Sequence, residues 1–178
     1  MDGNISVRQE CESDIQDVYK VNENAFQQKD EADLVNNLRQ SPAFIPELSL
    51  VAVKNDTIVG YLLFTKITIG SEMTASTIVT TSHLGLAPLS VTSDCQVQGV
   101  GKMLIKEGFE RAKTLGYTSV IVLGHEHYYS KFNFVPASHW NIASPFPLEN
   151  TDVFKAIELV PGALEHVSGM VHYSKEFY

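Results

Sequence analysis

The chain is poor in cysteine: only Cys11 and Cys95 occur among 178 residues, and they form no CxxC pair. That leaves neither a disulfide framework nor a cysteine zinc site, and it makes a reducing cytoplasm the expected setting. No apolar run approaches the roughly 18 residues of a membrane-spanning helix, so no membrane partner is expected. The opening residues MDGNISVRQE lack the basic stretch followed by an apolar one that marks a secretory signal. Internal repeats and low-complexity linkers are absent. Basic residues are scarce, with 13 Lys+Arg against 21 Asp+Glu and a net charge of −8. A nucleic-acid binder carries a basic patch, and no Lys/Arg cluster occurs here, so nucleic acid is not expected as a partner. An acidic surface attracts cationic substrates such as amines, although solubility alone also accounts for it.

What is present fits a single α/β domain over residues 1–178, long enough for a sizeable core. ISVRQ alternates apolar and polar residues as a short strand does. Ser13 and Asp14 are placed to cap a helix carrying Ile15, Val18, Tyr19, Asn22 and Phe26 at helical spacing. A second helix is expected over 31–39, with Leu34, Val35 and Leu38 inward, ended by Ser41-Pro42. LSLVAVK reads as a strand, Asn55-Asp56 as a turn, and TIVGYLLFTKITI as a long strand rich in β-branched and aromatic residues. GSEMT turns the chain into ASTIVTTSHLGLAPLSV, another strand. Residues 102–115 are expected to be helical, with Val100, Met103, Leu104, Gly108, Ala112 and Leu115 along one stripe and Gly116 at the C-terminal cap. TSVIVLG is the near-continuous apolar run of a strand buried on both faces. A short helical turn over 127–132 follows. Residues 138–161, with Pro145, Pro147 and Pro161, are expected to be irregular, and SGMVHYS closes the chain as a strand. The order β-α-α-β-β-β-α-β-α-β predicts a mixed sheet with helices on its faces.

The stretch QVQGVGKML, residues 96–104, places Gly99 and Gly101 between a strand and a helix start. The first amides of a helix are free and its dipole favours negative charge, so this is a ready anion site. Glycine also lets a backbone approach a pyrophosphate without a Cβ in the way. No GK[ST] follows, so this is not a Walker loop, and the three glycines of a dinucleotide fingerprint are missing. Alone, the pattern equally fits a tight connection. Upstream, however, Pro88 interrupts LAPLSV. Proline cannot donate to a ladder and marks a bulge or an unpaired edge, which leaves backbone groups at Leu89 and Val91 free for a ligand.

With those parts together the chain resembles the GNAT superfamily of acyl-CoA-dependent N-acetyltransferases. The hallmark Q/R-x-x-G-x-G/A is matched by Gln96-Val97-Gln98-Gly99-Val100-Gly101. The family's loop often reads QGQGIG, so Val97 departs from it, at a position expected to tolerate change. A subgroup of small predicted bacterial-type acetyltransferases is similar in DEADLV (30–35), FIPELSLVA (44–52), LGLAPLSV (84–91), VLGHEHYYSKFNF (122–134) and PGALEHVSGMVHY (161–173), so the likeness covers nearly the whole chain. It implies a GNAT-like, mostly antiparallel central sheet with a bulged, splayed strand and helices on both faces. It implies acetyl-CoA as co-substrate, with pyrophosphate on the amides of Val97 to Lys102 beside Gln96, and pantetheine paired with Leu89, Ser90 and Val91 like an added strand.

Acetyl transfer needs a deprotonated amine, donors for the developing oxyanion, and an acid for the departing thiolate. GNAT enzymes often supply that acid from a tyrosine in a pattern like YEKLGF. Tyr129-Ser130-Lys131-Phe132-Asn133-Phe134 is similar, with Tyr129 in the acid position and Asn133 in place of the usual glycine. Tyr128 reads as a packed aromatic. For the base, His125 lies just past a buried strand, where ligand-facing residues collect, and imidazole exchanges protons readily near neutrality. Glu126, Glu47, His83 and water remain alternatives. His125-x-His127 lacks a third ligand, so no metal is expected. Cys95 reads as a small packed residue beside the loop. Trp140 and Phe146 are candidates for a wall over an acceptor pocket, or a cover for the sheet. The acceptor is an amine on a small molecule or peptide, and the oligomeric state, a homodimer included, is left open. A non-catalytic acyl-CoA sensor on the same fold is the rival reading.

Overall fold

The computed structural model describes residues 4–70 and 81–178. The elements in chain order are β1 (Ile5–Gln9), α1 (Ile15–Phe26), α2 (Asp30–Leu38), β2 (Ser49–Lys54), β3 (Thr57–Ile69), β4 (His83–Val91), α3 (Val100–Thr114), β5 (Ser119–Leu123), α4 (Glu126–Ser130), β6 (Val135–Pro136), β7 (Ile142–Ala143), β8 (Phe154–Glu158) and β9 (Gly169–His172). The sheet order is β1-β2-β3-β4-β5-β8-β6, while β9 pairs with the far end of β3 and with β7. Only β4–β5 and β7–β9 run parallel; the other described pairs are antiparallel.

Alternation along β3 assigns the two faces. Leu62 and Phe64 pack with Val100, Leu104 and Ile105 of α3. Tyr61 and Leu63 pack with Val18 and Val21 of α1 and Val35 and Leu38 of α2. Period-two alternation in a strand buried on both sides therefore attaches α3 to one face and α1–α2 to the other. Each such Leu, Ile or Phe taken out of water contributes roughly 1.5–3 kcal/mol, which holds both layers in place.

Several expectations need correction. Asp14 holds the N-terminal cap position of α1, but its side chain accepts no amide of that helix. Its carboxylate accepts from the Cys11 amide at 2.8 Å and from Arg8 Nη1 and Nη2 at 2.6 and 2.9 Å. The guanidinium holds that carboxyl well below the usual carboxylate range. Helix α3 begins at Val100, two residues early, because Gly99 is its N-terminal cap and its carbonyl accepts from the Met103 amide at 3.0 Å. Met103 and Leu115 point outward, and Ile105 takes an inward place. Gly116, at φ 89, does close the helix: Tyr117 N–H reaches the Ala112 carbonyl at 2.9 Å and Gly116 N–H that of Lys113 at 3.0 Å. The stretch 138–161 is not wholly irregular. It contains β8, which pairs along the whole of β5. Lys155 within it and the flanking prolines hid it. The expected turn at 70–74 and the strand start at 75–80 lie outside the described residues, apart from Gly70.

Candidate active site

The site begins with β4. Over His83–Leu86 that strand is paired on both edges, antiparallel with β3 and parallel with β5. Beyond the pair Leu86↔Val122 the β5 ladder stops. Phe64 faces Leu86 but Leu62 faces Leu89, so β4 carries one extra residue at Ala87-Pro88, whose peptide bond is cis. This is the bulge that Pro88 predicted. Further on, the Thr92 amide donates to the Val59 carbonyl at 2.9 Å. Antiparallel pairing alternates, so Ser90 also turns its main-chain groups toward β3, while Leu89 and Val91 turn theirs into the gap left by β5. The Gln96 side chain already donates to the Val91 carbonyl there, at 3.3 Å. Of the three strand residues singled out by sequence, Ser90 is thus otherwise engaged, and its Oγ bonds Asn22 Oδ1 at 2.9 Å.

Facing that gap is the start of α3. Among the described residues the amides of 97–102 find no protein acceptor. Gln98 is held by Asp94 and Lys54, its Nε2 donating to the Asp94 carbonyl at 2.8 Å and its Oε1 accepting from Lys54 Nζ at 2.9 Å. The two glycines serve different ends. Gly99 has φ 83, a left-handed cap with open space around it. At Gly101 a Cβ would lie 2.3 Å from the Tyr128 hydroxyl, so this glycine makes room for α4. Val97, where the family favours glycine, has φ 63 and a fully exposed side chain. Its side chain has room, but a β-branched residue in that region costs about 1–3 kcal/mol, so the position is less tolerant than its exposure implies.

The opposite wall is the end of β5 and α4. Tyr129 is 8% exposed and lies edge-on to Tyr128 and Phe134, with centroids 5.1 and 5.6 Å away. Its hydroxyl has no hydrogen-bond partner among the described residues, and the residue lines the cleft. Burial pushes its pKa up, and neighbouring Tyr128 adds to the shift, so the phenol keeps its proton at neutral pH. Asn133 has φ 69, the left-handed conformation that asparagine tolerates best after glycine, so its replacement of the family glycine is conservative. His125, at the N-terminal cap of α4, and Glu126, which accepts from Asn150 Nδ2 at 3.3 Å, both line the cleft.

Other candidates are not brought there. His83 is buried on the closed half of β4, its Nδ1 2.8 Å from Ser119 Oγ. Glu47 sits in the short turn Pro46–Leu48, beside Tyr117. Trp140 lines a separate hollow with Asp152 and Glu158, and Phe146 packs on Tyr173 and Tyr178 at 5.6 and 5.5 Å, so neither walls this cleft. Cys95 is buried and free, at the cleft edge.

The whole cleft measures about 1220 Å³ and lies where β4 and β5 part; its lining includes the start of α3 and α4 and, at the α1–α2 corner, Ala25, Phe26, Glu31 and Leu34. Sequence reasoning did not assign that corner a role. Glu31 falls within DEADLV, but nothing in the spacing connects it to a strand more than fifty residues away.

A free strand edge and a helix start with unpaired amides meet at one cleft, an arrangement suited to an anionic ligand with an extended, amide-bearing arm. Residues 13–134 match the Acetyltransferase (GNAT) family, and the chain belongs to it. It is 38% identical over 137 residues to the uncharacterized N-acetyltransferase YjhQ of Escherichia coli, covering 76% of this chain and 73% of that one. Its fold superposes on the crystal structure of the E. coli GNAT N-acetyltransferase YhbS in complex with CoA, with a TM-score of 0.89 and 28% identity, covering 98% and 92% of the two chains. A GNAT acetyltransferase of Brucella melitensis in complex with acetyl-CoA gives a TM-score of 0.77 at 25% identity, covering 99% of each chain.

Proposed function

We propose that this chain moves an acetyl group from acetyl-CoA to a primary amine by direct attack, in the cytoplasm. The observation that carries the reading is one cleft holding both the free amides at the start of α3 and the unpaired edge of β4. Pyrophosphate oxygens would accept from the amides of 97–102, where the α3 dipole favours negative charge. Pantetheine amides would pair with Leu89 and Val91 as an added strand, with Gln96 releasing or sharing the Val91 carbonyl. The amine nitrogen attacks the thioester carbon, the C–S bond breaks, and the proton that nitrogen loses is the one sulfur needs. Tyr129 gives its hydroxyl proton to the sulfur and regains one from the nitrogen, through His125, Glu126 or water. No acyl-enzyme is needed: Cys95, the cysteine lining the cleft, has no hydrogen-bonded base among the described residues, and Cys11, 3.1 Å from Asp14 Oδ2, does not line the cleft.

Calorimetry on two variants tests the cofactor site. Gly99→Glu and Gly99→Gln share the same backbone strain, but only the first sets a carboxylate against phosphate. Gly99→Glu should bind acetyl-CoA several-fold more weakly than Gly99→Gln, with the gap narrowing as salt is raised. Equal affinities would remove the assignment. Acetyl-CoA binding without transfer to any amine would favour the sensor reading.

A further inference from the structure

The cleft lining at the α1–α2 corner differs in chemistry from the lining supplied by α3 and α4. Lysines 102 and 131 reach the cleft from the α3–α4 side. Among the described residues, the only ionisable group that the α1–α2 side adds to the lining is Glu31. Both of its carboxylate oxygens are 3.0 Å from Gln28 Nε2, which orients it. Around it the wall is apolar: Phe26 is 37% exposed, Leu123 across the gap is 41% exposed, and Leu34 and Val153 complete the lining. A second carboxylate, Glu126, stands at the start of α4 beside Tyr129. The cleft lining is therefore apolar with a lone carboxylate on the α1–α2 side, and carries both lysines and Glu126 on the α3–α4 side.

We infer that the acceptor is a primary amine carrying a second cationic group across an apolar spacer, the chemistry of an α,ω-diamine or polyamine. This rests on the transferase reading above and specifies its acceptor. The reacting nitrogen must lose its proton before it attacks, whereas a distal ammonium keeps its charge and is held by a fixed anion. Glu31 is attached to the α1–α2 face and Tyr129 to the α3–α4 face, so Glu31 is placed for a distal ammonium instead. The methylene spacer covers Phe26, Leu34 and Leu123, removing apolar surface from water. A carboxylate on the acceptor, as in a free amino acid, meets no cation from the α1–α2 side. The net charge of −8 steers cations toward the protein in general, and Glu31 fixes where one comes to rest.

The test uses a homologous series of α,ω-diamines against monoamines of equal chain length, read in two ways. Calorimetric titration into protein saturated with CoA reads acceptor binding without chemistry, and thiol release from acetyl-CoA reads turnover. The best diamine should bind at least about tenfold more tightly than its monoamine, the effect expected of a charge-assisted hydrogen bond in a partly buried site. Glu31→Gln should abolish that preference by raising KM for the diamine, with kcat, monoamine KM and acetyl-CoA affinity unchanged. Equal binding of diamines and monoamines, or a preference that survives Glu31→Gln, overturns the inference. Diamine preference in binding without any thiol release supports the site while defeating the transferase reading. Release with monoamines alone does the reverse.

Discussion

The two halves of β4 are a few residues apart and behave as different materials. His83–Leu86 has a partner strand on each edge and is buried throughout. Leu89–Val91 has one partner strand and turns alternate main-chain groups into an open cleft. Composition does not separate the halves, since both are mostly small and apolar. The difference is one inserted residue, after which β5 runs to α4 instead of along β4. A backbone group paired on both sides is spent on the fold; one paired on a single side is available to a ligand. The closed half should therefore report on stability and the open half on chemistry.

The sharpest way to break that comparison is at the open half. Tyr129→Phe removes only a hydroxyl that bonds nothing among the described residues, so the melting temperature should hardly move. Turnover should fall by roughly 10²–10⁴-fold, the range of general-acid help, with acetyl-CoA affinity nearly intact. A variant that turns over at the wild-type rate assigns the proton to another group. In the closed half the expected effect has the opposite character. A Cβ at Gly85 would sit 2.9 Å from Tyr173 Cε1 and 3.1 Å from Ile67 Cγ2, and the Tyr173 ring is held by Phe177 at 4.9 Å. Gly85→Ala should lose about 1–3 kcal/mol in chemical denaturation, as overpacked cores do, while binding acetyl-CoA as before. A loss of affinity at unchanged stability would mean that the halves are not separate.

The smallest effect sharpens the contrast inside the glycine motif. Gly101→Ala places a methyl against the Tyr128 hydroxyl, which must tilt away from the start of α3. A modest, few-fold fall in acetyl-CoA affinity is expected, recovered when Tyr128→Phe is added because the clashing oxygen is gone. Failure of the double variant to recover would return Gly101 to the role the motif suggested, close approach of the phosphate itself.

Much of this was legible in the residues. Apolar spacing gave the extents of α1, α2, β1 and β3 to within a residue, because those elements pack on one continuous core and their period records the face they bury. Pro88 announced the bulge and Gly116 the C-terminal end of α3, since each needs a conformation or a missing donor that few residues supply; the N-terminal end lies two residues before its expected place. The hidden elements were those whose reasons lie elsewhere in the chain. Strand β8 carries Lys155 and stands among prolines, and it is a strand because β5 offers it an edge.

The division at the site is similar. The sequence by itself determined an anion-ready helix start, a broken strand and a tyrosine following a buried strand, because each depends on local backbone chemistry. Only the tertiary structure decided that Leu89 and Val91 face the gap while Ser90 does not, since that depends on which edge β3 occupies. Only it separated His125 and Glu126 from His83 and Glu47, which differ in position and not in kind. And only it brought Glu31 to the cleft, because a contact between a helix corner and a strand end distant in sequence is made by packing, and leaves no period or spacing in the chain to be read.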